Sequence, residues 1–550
     1  MSSIGLGSRE AAITRLAGER FDVAIVGGGI TGAGIALDLA ARGRSVALVE
    51  QGDFAGGTSS RSSKLVHGGL RYLAQYHFGV TREALHERHL LLRLAPALVE
   101  PLPFVIPVVD GPIEAARVAF GLTLYDFLSG RERTRRWARV QAADLRALAP
   151  GLDTARLTAA YAYYDCRTDD ARLTLAVLRE ARRRGAALAN RVEAVAVRHG
   201  NGPATGLRLR DRQAGRELDL EAERVVLATG AWGEGALALE PAAASVRLRP
   251  SKGVHLFFAH ERLPVRLALY LPTGVDDRLV FVVPWQGRVL VGTTDTDYDG
   301  PLDRPGVESG DVDYLLGVLN RAFPGRRLGP ADVVGAQAGI RPLVASDEGA
   351  PAHASREERI WRRSDGVVAI AGGKLTTYRR MAEKVAEALG HDTSSRRGRP
   401  TESIPIAPAF DDPALRARLA AAGVESGAVA RLLRVYGAEA GQLAELVAAD
   451  GALAGPIVAG QPPILAEVLF AARHEQALGI ADVLARRTRL LLLDGRGARA
   501  AAETVADLMA REIGWSTAER ERARRDFADE APQYAPPAPD RASPATPAAR

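Results

Sequence analysis

The sequence predicts an α/β protein: a Rossmann-like dinucleotide-binding domain, an antiparallel-sheet substrate domain and an all-helical C-terminal domain. Three observations predict it. Residues 21–50, FDVAIVGGGITGAGIALDLAARGRSVALVE, read as strand, glycine turn, helix and second strand. Two later segments, RVVLATGAWG (224–233) and VVAIAGGKLTTYRR (367–380), again pass from an apolar strand into a glycine turn, so both can return to the first sheet. After Pro400 the texture changes to Ala, Leu, Arg and Glu at helical spacing.

Taken in order, residues 1–20 read as an amphipathic lead-in helix without the basic start and apolar block of a secretory signal. Residues 21–400 form the dinucleotide-binding domain, with the substrate domain interleaved at roughly 80–165 and 240–345. The pattern predicts a helix over 35–42, a long amphipathic helix over 81–95 and further helices from about 172 and near 311–321. The stretch 246–300 is strand-rich. RERTRRWAR (131–139) carries five arginines and a tryptophan, which fits a solvated helix face or an anionic membrane surface. Residues 401–530 make the helical domain, and 531–550, rich in Pro and Ala, read as disordered.

Composition narrows the chemistry. With 550 residues, 47% hydrophobic and 25% charged, the chain has ample material for a core. One cysteine excludes an internal disulfide and any Cys-built zinc or iron–sulfur site, and no metal is expected. No apolar run reaches the roughly 18 residues of a transmembrane helix. Despite the net charge of +6 there is no interleaved aromatic platform for nucleic acid. Lysine occurs only at Lys64, Lys252, Lys374 and Lys384, so each marks a place where an ammonium stands in an otherwise arginine-based chain.

Gly27, Gly29 and Gly32 form G-x-G-x-x-G between strand and helix, and Glu50 ends the second strand where an acid binds a ribose hydroxyl pair. The acid disfavours NADP. No second glycine fingerprint exists for a nicotinamide, and the two later strand–glycine segments can hold a longer cofactor, so the reading is FAD.

These residues resemble the aerobic, respiratory-chain, FAD-dependent glycerol-3-phosphate dehydrogenases. The matching stretches are VGGGITGAGIALD, TSSRSSKLVHGGLRYL, YYDCRTDDARL, VLATGAW, KGVHL, VFVVPW, VGTTDTDY, GIRPL and GGKLTTYR, in the family's order over residues 21–380. RHEQALGIADVLARRTRLLLLD (473–494) is similar to the family's helical domain. Thr31 stands where many members have Asn. The resemblance implies FAD contacts from Gly27, Gly29, Thr31, Gly32 and Glu50; from Thr58, Ser59, Ser60, Ser63, Leu65, Gly68 and Gly69; and from Val192, Thr229, Gly230, Gly373, Lys374, Leu375, Thr376 and Thr377. It further implies oxidation of sn-glycerol 3-phosphate to dihydroxyacetone phosphate, with electrons passed to a membrane quinone. The expected location is cytoplasmic, peripheral on the inner face of the cell membrane. The oligomeric state stays open, a homodimer included.

Such a reaction needs a phosphate anchor, a base for the hydroxyl proton, and the C2 hydride held beside the flavin. Arg71 and Arg341 are the candidate anchors, because a guanidinium in an apolar, glycine-containing stretch needs a partner. Tyr72 can donate to the substrate, and Thr293, Thr294 and Asp295 form a polar cluster that could hold substrate or organise the arginines. The candidate bases, in order, are His255, Lys374 and His67; a helical turn would align His67 with Arg71. Thr376 and Thr377 would open the last helix of the domain, and Cys166 reads as a buried small hydrophobe. The alternatives on the same scaffold are a glycerol-3-phosphate oxidase using O₂, a flavin oxidase of amino or hydroxy acids, and a flavin-holding module without turnover.

Overall fold

The computed structural model describes residues 5–537 except 133, 234–246, 277, 345–357 and 396. The chain opens with α1 (Arg9–Gly18), capped by Ser8, whose Oγ accepts from Ala11 N, and continues into the apolar β1 (Arg20–Val26). A glycine turn leads to α2 (Ile30–Ala41), which starts five residues earlier than its apolar spacing suggested. Then follow β2 (Val46–Val49), β3 (Leu65–Val66), α3 (Leu70–Ala74), α4 (Phe78–Leu94), β4 (Val99–Val108), α5 (Pro112–Ser129) and β5 (Ala138–Arg139). Among the described residues RERTRRWAR is therefore no α-helix: α5 ends at Gly130 in a positive-φ conformation, Arg131 and Glu132 complete a single 3-10 turn, and Ala138–Arg139 form β5.

Next come α6 (Ala142–Leu148), β6 (Ala159–Thr168) and α7 (Asp170–Arg183), whose cap Asp169 accepts from Arg172 N. After them lie β7 (Ala187–Ala189), β8 (Val192–His199), β9 (Ala204–Asp211), β10 (Arg216–Leu227), β11 (Leu248–Ala259), β12 (Ala268–Pro272), β13 (Leu279–Trp285), β14 (Arg288–Gly292) and β15 (Thr296–Asp297). The helix α8 (Ser309–Ala322), β16 (Val333–Val344), β17 (Arg359–Arg362), β18 (Val368–Ala371) and α9 (Tyr378–Ala388) complete the two-sheet part.

One sheet runs β17-β18-β10-β1-β2-β7, with β9 paired to β10 and β8 to β9. Its centre is parallel: β10 and β2 flank β1, and β18 joins β10, so both later strand–glycine segments return to the first strand as expected. Continuous Val/Ile/Leu/Ala runs suit strands covered on both faces, here by α2 packed against α7 and α9 on one side and by α1 with β8 and β9 on the other. The other sheet runs β15-β11-β14-β13-β12-β4-β6-β3, with β16 on β11 and β5 on β6. It is antiparallel apart from the β12–β4 pair, which is parallel. Those two strands are joined through a long excursion, so no hairpin dictates their relative direction. Cys166 sits fully buried on β6.

Beyond residue 400 the chain is helical, with a core around Leu432, Leu443, Phe470, Leu484 and Met509. The expectation of disorder from residue 531 does not hold for the first residues of that stretch. Ala531–Tyr534 forms a helical turn, Gln533 accepts from the Arg61 guanidinium at 3.0 Å, and Tyr534 is buried beneath it. Residues 538–550 of that expectation lie outside the described residues.

Candidate active site

The cofactor cradle starts where β1 turns. Gly27 has φ +115°, and a Cβ there would stand 2.4 Å from Ala228 O; a Cβ on Gly32 would stand 1.9 Å from Gly27 O. Only glycine lets α2 and β10 approach this closely. Gly28 N donates to Glu50 Oε2 at 2.7 Å and Gly52 N to Oε1 at 2.8 Å. Burial pushes the Glu50 carboxyl above its ordinary range, while these two N–H groups pull it back down. Ser59 Oγ accepts from Ile30 N at the start of α2.

From this turn runs a cavity of about 1160 Å³, walled in part by Gly27, Gly29, Thr31, Glu50, Thr58, Ser59, Thr229, Gly230, Gly373, Lys374 and Leu375. It exceeds the roughly 300–1,000 Å³ of ordinary small-molecule sites, as an elongated dinucleotide requires. Glycine cradle, ribose acid and volume together fit FAD.

Several expected cofactor residues stand behind the wall instead. Gly32 packs under the turn, Ser60 is buried, Leu65 lies in β3, and Val192 donates its N–H to Glu50 O while Arg191 and Glu193 face the cavity. Gly68 N donates to Asp165 Oδ1, and Gly69 turns the chain into α3 at φ +75°. Thr376 Oγ1 accepts from His67 N, so neither threonine caps α9 through its side chain. Thr377 faces a smaller cavity of about 450 Å³ shared with Lys374, Lys384, Glu83 and Glu358.

On the second sheet, β11 lies between β14 and β16 in a register that sets Ser251 opposite Arg341, Gly253 opposite Gly339, and His255 opposite both Gln337 and Gly292. The Arg341 guanidinium occupies the space a Cβ on Gly253 would need, 2.4 Å away. It donates to Thr293 Oγ1 at 2.8 Å, Asp295 Oδ1 at 3.0 Å and Thr294 O at 3.2 Å. Asp295 thus organises the arginine, and Ser251 Oγ also donates to it. Thr294 is spent on the fold, since its Oγ1 accepts from Val254 N.

His255 is 2% exposed; its Nε2 lies 2.8 Å from Ser63 Oγ, and its Nδ1 is buried with no partner among the described residues. Burial, then the Lys64 and Arg341 cations, hold its pKa well below the usual histidine value, so the ring is neutral. Lys374 lines the cofactor cavity and lies 3.6 Å over the Tyr72 ring. Arg71 sits half-buried on α3, but His67 precedes that helix, so no shared helical turn aligns the two.

The sequence reading missed the supports. Arg88 Nη1 and Tyr125 Oη both donate to Asp165 Oδ1 at 2.7 Å, holding the His67–Gly69 turn from below. Asp53 accepts from Arg486 Nε and Arg487 Nη1 at 2.6 Å, which ties the helical region to the cofactor loop. Lys64, Asp170 and Arg489 form a buried ionic cluster beneath Ser62 and Ser63. Lys64, Asp165, Asp170, Arg486, Arg487 and Arg489 lie inside stretches already quoted, where a charged residue in a matching motif was the available signal, whereas Asp53, Arg88 and Tyr125 lie outside them.

Comparison with known proteins follows this layout. A family model described as FAD dependent oxidoreductase matches residues 22–388, and one described as C-terminal domain of alpha-glycerophosphate oxidase matches 368–520. Glycerol-3-phosphate dehydrogenase 2 of Mycobacterium tuberculosis is 38% identical over 95% of this chain and 90% of its own length. Aerobic glycerol-3-phosphate dehydrogenase of Staphylococcus saprophyticus is 37% identical over 72% of each chain. The crystal structure of glycerol-3-phosphate dehydrogenase from Bacillus halodurans, complexed with FAD, superposes with a TM-score of 0.79 at 28% identity, covering 96% of this chain and 98% of that one.

Proposed function

The chain belongs to the FAD-dependent glycerol-3-phosphate dehydrogenase family, and from that membership we propose that it oxidises sn-glycerol 3-phosphate at C2 to dihydroxyacetone phosphate and passes the electrons to a membrane quinone. The observation that carries the reading is Lys374. It walls the cofactor cavity and stacks on Tyr72, the neighbour of Arg71, so one side chain links the cofactor site to the helix that carries Arg71.

FAD, held by the Gly27–Gly32 turn, Glu50 and Gly373–Leu375, supplies an N5 atom able to accept a hydride. The protein's own groups do the rest. Arg341, pre-oriented by Asp295 and Thr293, and Arg71 bind the phosphate, where a planar guanidinium presents paired donors. His255, kept neutral by burial and by neighbouring cations, takes the hydroxyl proton. Lys374 stabilises negative charge as it forms on the substrate oxygen.

No helix among the described residues is long and apolar enough to cross a membrane. A peripheral docking face is supported by α5. Ile113, Phe120 and Phe127 are 85%, 70% and 77% exposed, and their seven-residue spacing puts them on one stripe. Exposed Tyr76 lies just before α4 and exposed Phe78 opens it, α5 packs against α4, and exposed Arg131, Arg135, Arg136 and Arg139 follow α5. Exposed apolar side chains on a helix that leads into exposed arginines fit an anionic lipid surface on the inner face of the cell membrane.

Dye reduction measured in parallel with glycerol 3-phosphate, glycerol and lactate tests the substrate. Turnover with the phosphoester alone is expected, and equal turnover with lactate would overturn the proposal. The match to an α-glycerophosphate oxidase domain favours a second reading with O₂ as acceptor. Stoichiometric peroxide under matched conditions would select it over quinone reduction.

A further inference from the structure

Residues 60–64 cross from the cofactor cavity to His255, and side chains from distant stretches hold their backbone. Lys64 Nζ donates to Ser60 O and Asp170 Oδ2 at 2.8 Å and to Gln337 Oε1 at 3.1 Å, which uses all three of its donors. Arg489 Nη2 donates to Ser60 O at 2.8 Å and Asp170 Oδ1 at 3.0 Å. Asp170 Oδ2 also accepts from Ser62 N at 3.0 Å and Ser62 Oγ at 2.7 Å, and Gln337 Nε2 donates to Ser62 O at 2.8 Å. Lys64 and Asp170 are fully buried and Arg489 is 1% exposed.

A buried ionic cluster of this kind is no efficient source of stability, because desolvation offsets most of the attraction and apolar replacements often do as well. What it supplies is geometry. Lys64 adopts φ +60°, a left-handed conformation uncommon outside glycine, and the cluster fixes it there. The residue before it, Ser63, makes the one side-chain hydrogen bond of the His255 ring among the described residues, at Nε2. The charged groups facing the imidazole are Lys64, Arg341 and Asp170, with Asp295 paired to Arg341.

We infer that Lys64, Asp170 and Arg489 are positioning residues for His255: they clamp the 60–64 tract, and Ser63 on that tract fixes the ring through Nε2. The inference rests on the reading of His255 as the base. It makes an arginine of the helical region part of the apparatus that orients a side chain on the second sheet.

The test compares holoenzyme carrying Ser63→Ala, Asp170→Asn and both together. Each single change is expected to lower kcat about 10- to 100-fold, as loss of an orienting partner does, with KM for glycerol 3-phosphate within about twofold. The double variant is expected to match the worse single one, because both act through one ring. A second readout is independent of turnover. ¹⁵N-histidine NMR, with His255→Asn for assignment, should give one fixed tautomer in the parent and exchange-averaged nitrogen shifts in Ser63→Ala. Parental kcat in Ser63→Ala, multiplicative losses in the double variant, or unchanged nitrogen shifts would each overturn the inference. Should Asp170→Asn fail to fold, Ser63→Ala and the spectrum decide. A parent enzyme inert toward glycerol 3-phosphate would sink the substrate reading instead, and the tautomer measurement would still test the clamp.

Discussion

At the scale of single residues, the side chains differ in how replaceable they are. Arg341 spends its guanidinium on Asp295, Thr293 and Thr294 at once, and a lysine cannot reproduce that fork. Arg341→Lys is expected to cut kcat/KM for glycerol 3-phosphate about 100-fold, near 2.7 kcal/mol of transition-state stabilisation, in a dye-linked assay. Glu50→Gln should keep the fold and weaken FAD about 10- to 100-fold, because a charge-assisted hydrogen bond is worth about 1.5–3 kcal/mol; flavin retained after gel filtration measures it. His255 carries a pH signature. Its pKa in the folded protein lies below the ordinary 6.5, so between those values the unfolded chain binds a proton that the folded chain refuses. Its contribution is therefore level above pH 6.5 and turns destabilising as pH falls below it. Denaturant titrations across pH 7 to 5 should show a slope that flattens in His255→Asn.

At the scale of elements, the parallel sheet was legible because β1, β10 and β18 are continuous apolar runs that end in glycine turns. A two-sided burial pattern leaves little else for them to be. The second sheet's β11 register was partly legible, since alternation put Gly253 and His255 on one face, where Arg341 now stands. The supports were not. Lys64, Asp170 and Arg489 meet only through tertiary folding, and nothing in local periodicity pairs residue 64 with 170 and 489. The reading of 131–139 as a helix face failed because arginine density says nothing about where a helix stops, while Gly130 and the pairing of β5 with β6 do. The docking stripe consequently lies on α5, one element earlier. Replacing Ile113, Phe120 and Phe127 by serine should abolish sedimentation with anionic vesicles and leave dye-linked activity within about twofold, since none of the three lines the cofactor cavity.

At the scale of the molecule, the helical region is stitched to the rest by buried charge. Arg487 and Arg486 reach Asp53 in the cofactor loop, Arg172 of α7 reaches Glu475 at 2.5 Å, and Arg489 reaches Asp170. A π-helical turn over Asp482–Arg487 presents two of these arginines side by side. Asp53→Ala removes the carboxylate that both arginines share, leaving Arg486 to Asp482 and Glu530 and Arg487 to Glu475; the lost charge-assisted hydrogen bonding should cost about 1.5–3 kcal/mol, visible as a lowered Tm with simultaneous release of flavin. Cofactor retention and integrity of the helical region should thus be lost in one transition. The buried Cys166 has a practical corollary. Its thiol, pushed up to about 12 chiefly by burial, is chemically silent at neutral pH. A cysteine engineered at position 120 would then be the one thiol open to maleimide, and a fluorophore attached there would report immersion depth through its colour without a background signal to subtract.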